Sequence, residues 1–96
     1  PIFLSLFLFL SLFKQSVSNV ENFSKLFNNA ESFNQPLEAW DMGKASDLSS
    51  MFENATSFNQ PLAEWTTNEV VFMDLVFAGA TSFNQALNGW NTSKVQ

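Results

Sequence analysis

The chain has 96 residues, a net charge of −5 and four basic side chains, a balance that argues against a nucleic-acid partner. It has no cysteine and no histidine, so disulfide and thiolate chemistry are excluded, and the commonest general base and metal ligand is missing. Twelve phenylalanines and three tryptophans accompany no tyrosine; such a chain buries mass through rings, and its length allows one domain at most.

Residues 1–15 read as an apolar leader. Ile2 to Phe13 is apolar except for Ser5 and Ser11. The run is too short to span a bilayer, which needs about 20 residues, but it suits a signal-peptide core of about 7–15. Ser16 and Ser18 offer small residues for a cut after Ser18. No basic segment precedes the run, and Lys14 follows it. Two other readings stay open: the tail of a membrane anchor, and a foreign junction joined at Gln15. Position 1 is Pro, and the sequence stops at Lys94-Val95-Gln96, early in a unit. Both ends read as cuts in a longer array.

From Ser16 to Gln96 the sequence repeats every 25 residues without a gap. Trp40, Trp65 and Trp90 keep the step, as do Phe27, Phe52 and Phe77, and Phe33, Phe58 and Phe83. Ala30, Ala55 and Ala80 follow it, with Leu37, Leu62 and Leu87. The pair Asn34-Gln35 returns as Asn59-Gln60 and Asn84-Gln85. A fixed period between about 20 and 50 residues marks stacked-repeat architecture, and about three units are needed to bury a continuous core.

Within a unit, an apolar face comes first. Val20, Phe23, Leu26, Phe27 and Ala30 fall at helical spacing; Ala45, Leu48, Met51, Phe52 and Ala55 repeat it, and so do Val70, Met73, Val76, Phe77 and Ala80. Ser18, Gly43 and Asn68 precede the faces as N-cap types. Asn29, Asn54 and Gly79 follow as residues that tolerate a left-handed cap. The spacing predicts helices near 19–28, 45–53 and 70–78. Phe33 to Leu37 then reads as extended, because Pro36 and Pro61 forbid helix and remove an amide donor. Extended segments are expected near 33–37, 58–62 and 83–87, stacked in parallel. The predicted fold is an α/β repeat: a right-handed, leucine-rich-repeat-like solenoid of about three strand–turn–helix units. Phe27, Phe33, Phe52, Phe58 and Leu62 are expected to be among its most buried residues.

These residues also resemble a known family. Asp47-Leu48-Ser49-Ser50-Met51-Phe52, then Ala55, Ser57-Phe58-Asn59-Gln60-Pro61-Leu62 and Trp65, is similar to the surface-protein repeat of about 25 residues found in Mycoplasma lipoproteins and grouped with BspA-like leucine-rich repeats. Trp90-Asn91-Thr92-Ser93-Lys94-Val95 resembles the family's link between units. The resemblance implies a leucine-rich-repeat-like solenoid on secreted or cell-surface proteins, often adhesive, with no catalytic residue to carry over. Thr66-Thr67-Asn68-Glu69 and Phe72-Met73-Asp74-Leu75 depart from the pattern and make the third unit more apolar outside.

Three sets of residues are candidates for function. The tryptophan ladder is either a sugar-stacking platform or a structural spine, and one indole per unit at fixed spacing is what a spine demands. Alongside it, Phe27, Phe33, Phe52, Phe58, Phe77 and Phe83 read as structural ladders. The amide ladder is either a ligand-reading stripe or a hydrogen-bonded stack. Strand alternation sends Gln35, Gln60 and Gln85 inward as structure, and Asn34, Asn59 and Asn84 outward. Those three asparagines, with Glu38, Asn88 and the variable Ala63, form the expected binding stripe. The acids do not recur in register, so neither a carboxylate pair nor a calcium loop is formed. Three sequons, at Asn22, Asn54 and Asn91, are near the about two that composition gives by chance.

The sequence therefore leads to a non-catalytic, cofactor-free surface or secreted module that binds an extracellular protein or glycan. The alternative is a structural stalk or spacer that self-associates through its solenoid ends.

Overall fold

The computed structural model describes residues 17–96; the leader and its three readings lie outside the described residues. The chain winds into coils of 25 residues that stack in register: residues 17–40, 41–65 and 66–90, with 91–96 laying the start of a further one. Phe23 N–H donates to Asp47 O at 2.8 Å, Lys25 to Ser49 at 3.0 Å, Phe27 to Met51 at 2.9 Å and Asn29 to Glu53 at 2.8 Å. One period later, Leu48, Ser50, Phe52 and Asn54 donate to Phe72, Asp74, Val76 and Ala78.

The coils are not strand–turn–helix units. Among the described residues the regular structure is one short 3₁₀ turn, Val17–Asn19, and two isolated parallel bridges, Asn22 to Asp47 and Asp47 to Phe72. The expected helices at 19–28, 45–53 and 70–78 and the expected strands at 33–37, 58–62 and 83–87 are absent. The α/β expectation of a leucine-rich-repeat-like solenoid is therefore overturned. The radius of gyration, 12.8 Å, is that of a compact globule of this length.

The apolar faces are built from overlapping turns. Leu26, Asn28 and Ala30 donate to Phe23, Lys25 and Phe27, each three residues back. Met51, Glu53 and Ala55 repeat this on Leu48, Ser50 and Phe52, and Val76, Ala78 and Ala80 on Met73, Leu75 and Phe77. The third position of alternate turns is left-handed: φ is 63° at Lys25 and Asn29, 58° at Ser50, 61° at Asn54, 60° at Leu75 and 72° at Gly79. Positive φ every fourth residue interrupts a right-handed helix. Half of the amide donors then close local turns and the other half bond the next coil. Gly79 has a second reason to be glycine, since a Cβ there would collide with Asn54 Oδ1.

The core is most extensive in the second coil and runs on into the first, through Val17, Phe23, Leu37 and Trp40, and into the third at Val70. Leu48, Met51, Phe52, Ala55, Phe58 and Leu62 are fully buried in the second coil. Phe27 and Phe33 are only half-buried, contrary to expectation, although Val17, Phe23, Leu37 and Trp40 of the same coil are buried. Rings pair within each coil (Phe52 and Phe58 at 4.3 Å) and stack between coils, with Phe27, Phe52 and Phe77 in steps of 5.6 Å and Phe33, Phe58 and Phe83 in steps of 5.8 and 6.0 Å. Phe52 is thus held between rings on both sides.

Two stability predictions follow from this packing. Phe52→Ala should cost about 3–5 kcal/mol and Phe27→Ala distinctly less, as read from denaturant midpoints. Leu75→Asn should raise stability by about 1 kcal/mol, because asparagine tolerates the left-handed backbone and Leu75 is 59% exposed.

Candidate functional site

The two sides of the stack are joined differently. Backbone bonds tie residues 21–29 to the next coil, and Ser46 and Asp47 N–H donate back to Glu21 O. Around the prolines the joining groups are side chains. Asn34 Oδ1 accepts Asn59 N–H at 2.9 Å and Gln60 Nε2 at 3.1 Å. Asn59 Oδ1 accepts Asn84 N–H at 2.9 Å and Gln85 Nε2 at 3.0 Å. Gln60 and Gln85 also donate to the Asn34 and Asn59 carbonyls. Only an amide oxygen can accept from a backbone N–H, so the orientation of Asn34 and Asn59 is fixed: oxygen along the stack, Nδ2 away from that bond. Asn34, Asn59 and Asn84 are exposed, whereas Gln35, Gln60 and Gln85 are half-buried.

The tryptophans close the same side. Trp65 Nε1 donates to Leu37 O and Trp90 Nε1 to Leu62 O, both at 2.8 Å. Trp65 and Trp90 stack at 6.1 Å and 7°. Trp40 and Trp65 are buried and Trp90 is half-buried, which leaves little ring surface for a sugar. Glu38, Ala63 and Asn88 open the turns in which Trp40, Trp65 and Trp90 N–H return to Leu37, Leu62 and Leu87 O. Glu38 and Asn88 are exposed and Ala63 is half-buried.

The remaining polar groups make small local devices. Asn22, Asp47, Asp41 and Asn91 each accept, through Oδ1, the N–H two residues on. Two of the sequon asparagines, Asn22 and Asn91, are therefore in such turns. The third, Asn54, donates Nδ2 to Asn29 Oδ1. Glu69 and Lys94 pair at 3.0 Å across one coil step, an exposed contact of small energetic weight. Among the described residues no group of three or more carboxylates gathers to hold a metal. A shallow depression beside Ala30, Phe33, Asn34 and Gln35 marks the outer side of the first coil.

Leu75 and Phe72, 59% and 45% exposed, stand where the earlier coils carry Lys25 or Ser50 and Asn22 or Asp47. They were legible only as departures from the repeat. The asparagine ladder predicts an asymmetric pair of variants. Asn59→Ala removes the acceptor of two donors and should cost about 1 kcal/mol. Asn84→Ala should be close to neutral, since Asn84 Oδ1 has no partner among the described residues. Thermal melting of the two variants checks this ordering.

No curated protein and no solved structure matches this chain significantly. Residues 6–96 match the family described as "Mycoplasma protein of unknown function, DUF285". The match spans nearly the whole chain, including the amide and tryptophan ladders, and the chain belongs to that family.

Proposed function

We propose that the chain is a non-catalytic repeat module, secreted or held at the cell surface, that binds an extracellular protein or glycan through its asparagine row. The observation that carries this reading is the orientation of the amides. The Asn34 and Asn59 oxygens are spent on the stack, so the first two coils each present an oriented Nδ2 donor on an exposed residue, and exposed Asn84 continues the row. Such a row suits an extended, acceptor-rich partner and weak contacts that add along the stack. Within the family, the finer assignment to the BspA-like surface repeat rests on the Asp47–Leu62 string and its recurrence, and adhesion is the role that resemblance implies.

The second reading is a structural spacer that self-associates, a role open to a stack of equivalent coils.

The experiment is an array of immobilised glycans and extracellular-matrix proteins probed with the purified chain and with Asn84→Asp. That variant keeps an acceptor and loses the donor, at a position whose oxygen carries no bond in the described stack. Binding that falls with unchanged melting supports the asparagine row. A chain that binds none of these probes, and whose mass grows with concentration in sedimentation, overturns it in favour of the spacer.

A further inference from the structure

Asn88 and Gly89 are both exposed and occupy the two central positions of a four-residue turn, closed by Trp90 N–H on Leu87 O at 3.0 Å. The equivalent turns carry Glu38-Ala39 and Ala63-Glu64. The third coil alone therefore places a side-chain amide next to a backbone nitrogen with no side chain to shield it. Gly89 N–H has no hydrogen-bond partner among the described residues, so no bond must break before it reacts. The other asparagines in the ladder are held differently. Asn34 and Asn59 are followed by glutamine and have their amide oxygens bonded to the next coil.

We propose that Asn88-Gly89 is a self-modifying site at which Asn88 is converted, without an enzyme, to a mixture of isoaspartate and aspartate. The deprotonated Gly89 nitrogen attacks Asn88 Cγ. A C–N bond forms, the bond from Cγ to the side-chain nitrogen breaks, and ammonia leaves with the proton. Water then opens the five-membered imide. Cleavage at Cγ gives aspartate; cleavage at the main-chain carbonyl gives isoaspartate, with Gly89 now attached through Cγ. No oxidant or reductant takes part. Deprotonation of the nitrogen makes the step faster as pH rises.

The site lies where the change reaches the tryptophan spine. Isoaspartate inserts one extra methylene into the main chain between Leu87 and Trp90. The turn that sets Trp90 then no longer closes with its present geometry. Trp90 stacks on Trp65 and donates to Leu62 O, so lengthening the turn loosens the outer end of the ladder. Aspartate at the same position adds charge but keeps the main-chain length. The two products thus separate a backbone effect from an electrostatic one.

The test incubates the purified full chain at neutral and at mildly acidic pH and follows intact mass, peptide maps and enzymatic methylation of isoaspartate. The expected result is a gain of about one mass unit localised to Asn88. It should form at least about tenfold faster than at any of the other ten asparagines and be slowed at acidic pH. Gly89→Ala should slow it by a similar factor, its Cβ shielding the nitrogen and, at 2.9 Å from Ala63 O, also shifting the turn; Asn88→Ala should abolish it. The isoaspartyl form, separated by ion exchange, should melt below the parent and show altered tryptophan fluorescence, while Asn88→Asp melts with the parent. A chain in which Asn88 reacts no faster than Asn34 or Asn91 overturns the proposal. So does a rate unchanged by Gly89→Ala.

Discussion

Each backbone N–H can be given away once, and in this chain alternate residues give theirs to different partners. Phe23, Lys25, Phe27 and Asn29 bond the next coil, while Leu26, Asn28 and Ala30 close local turns. A helix would spend every donor within its own segment and a strand would spend none there. This division fixes the rest of the structure. It demands a left-handed residue every fourth position, and it draws the coils together so that Phe27, Phe52 and Phe77 stack as a column. The second coil, bonded on both sides, holds most of the fully buried core.

The proline side cannot follow that rule, because Pro36 and Pro61 carry no N–H. Side chains take over. The Asn34 and Asn59 oxygens stand in for backbone acceptors, and the Trp65 and Trp90 indoles reach the Leu37 and Leu62 carbonyls. The same substitution orients the amides of the exposed Asn34 and Asn59, with Nδ2 turned away from the bonded N–H. The asparagine that joins the coils is also an exposed side chain, which is why a stripe read from sequence alone suits a structural and a binding role equally well.

The period, the ladders and the left-handed residues at Asn29, Asn54 and Gly79 were legible in the sequence. Helix was not the right inference from Leu48, Met51, Phe52 and Ala55. Turns that advance four residues at a time put i, i+3, i+4 and i+7 on one side, as a helix does, and hydrophobic spacing does not distinguish them. Lys25, Ser50 and Leu75 gave no warning of positive φ, since their side chains do not favour it. The burial of Phe27 and Phe33 was overestimated because equivalence in sequence is not equivalence in the stack: their counterparts Phe52 and Phe58 each lie between the rings of two other coils. The amide ladder was legible as a pattern, but the direction in which its donors point required the geometry.

The uniform stacking step has a consequence for how the chain acquires its structure. The side-chain bonds between coils join residues 24 to 28 apart in sequence, so nearly every contact that matters closes a loop of one size. Such a loop costs about 3 kcal/mol plus a constant in chain entropy, and a first pair of coils gains only one interface against it. A third coil meets a surface already formed, with rings and acceptors in place. Folding of this kind has a slow opening step, set by the meeting of two coils, and a faster addition after it. Its rate is governed by the length of the repeat rather than by the length of the chain.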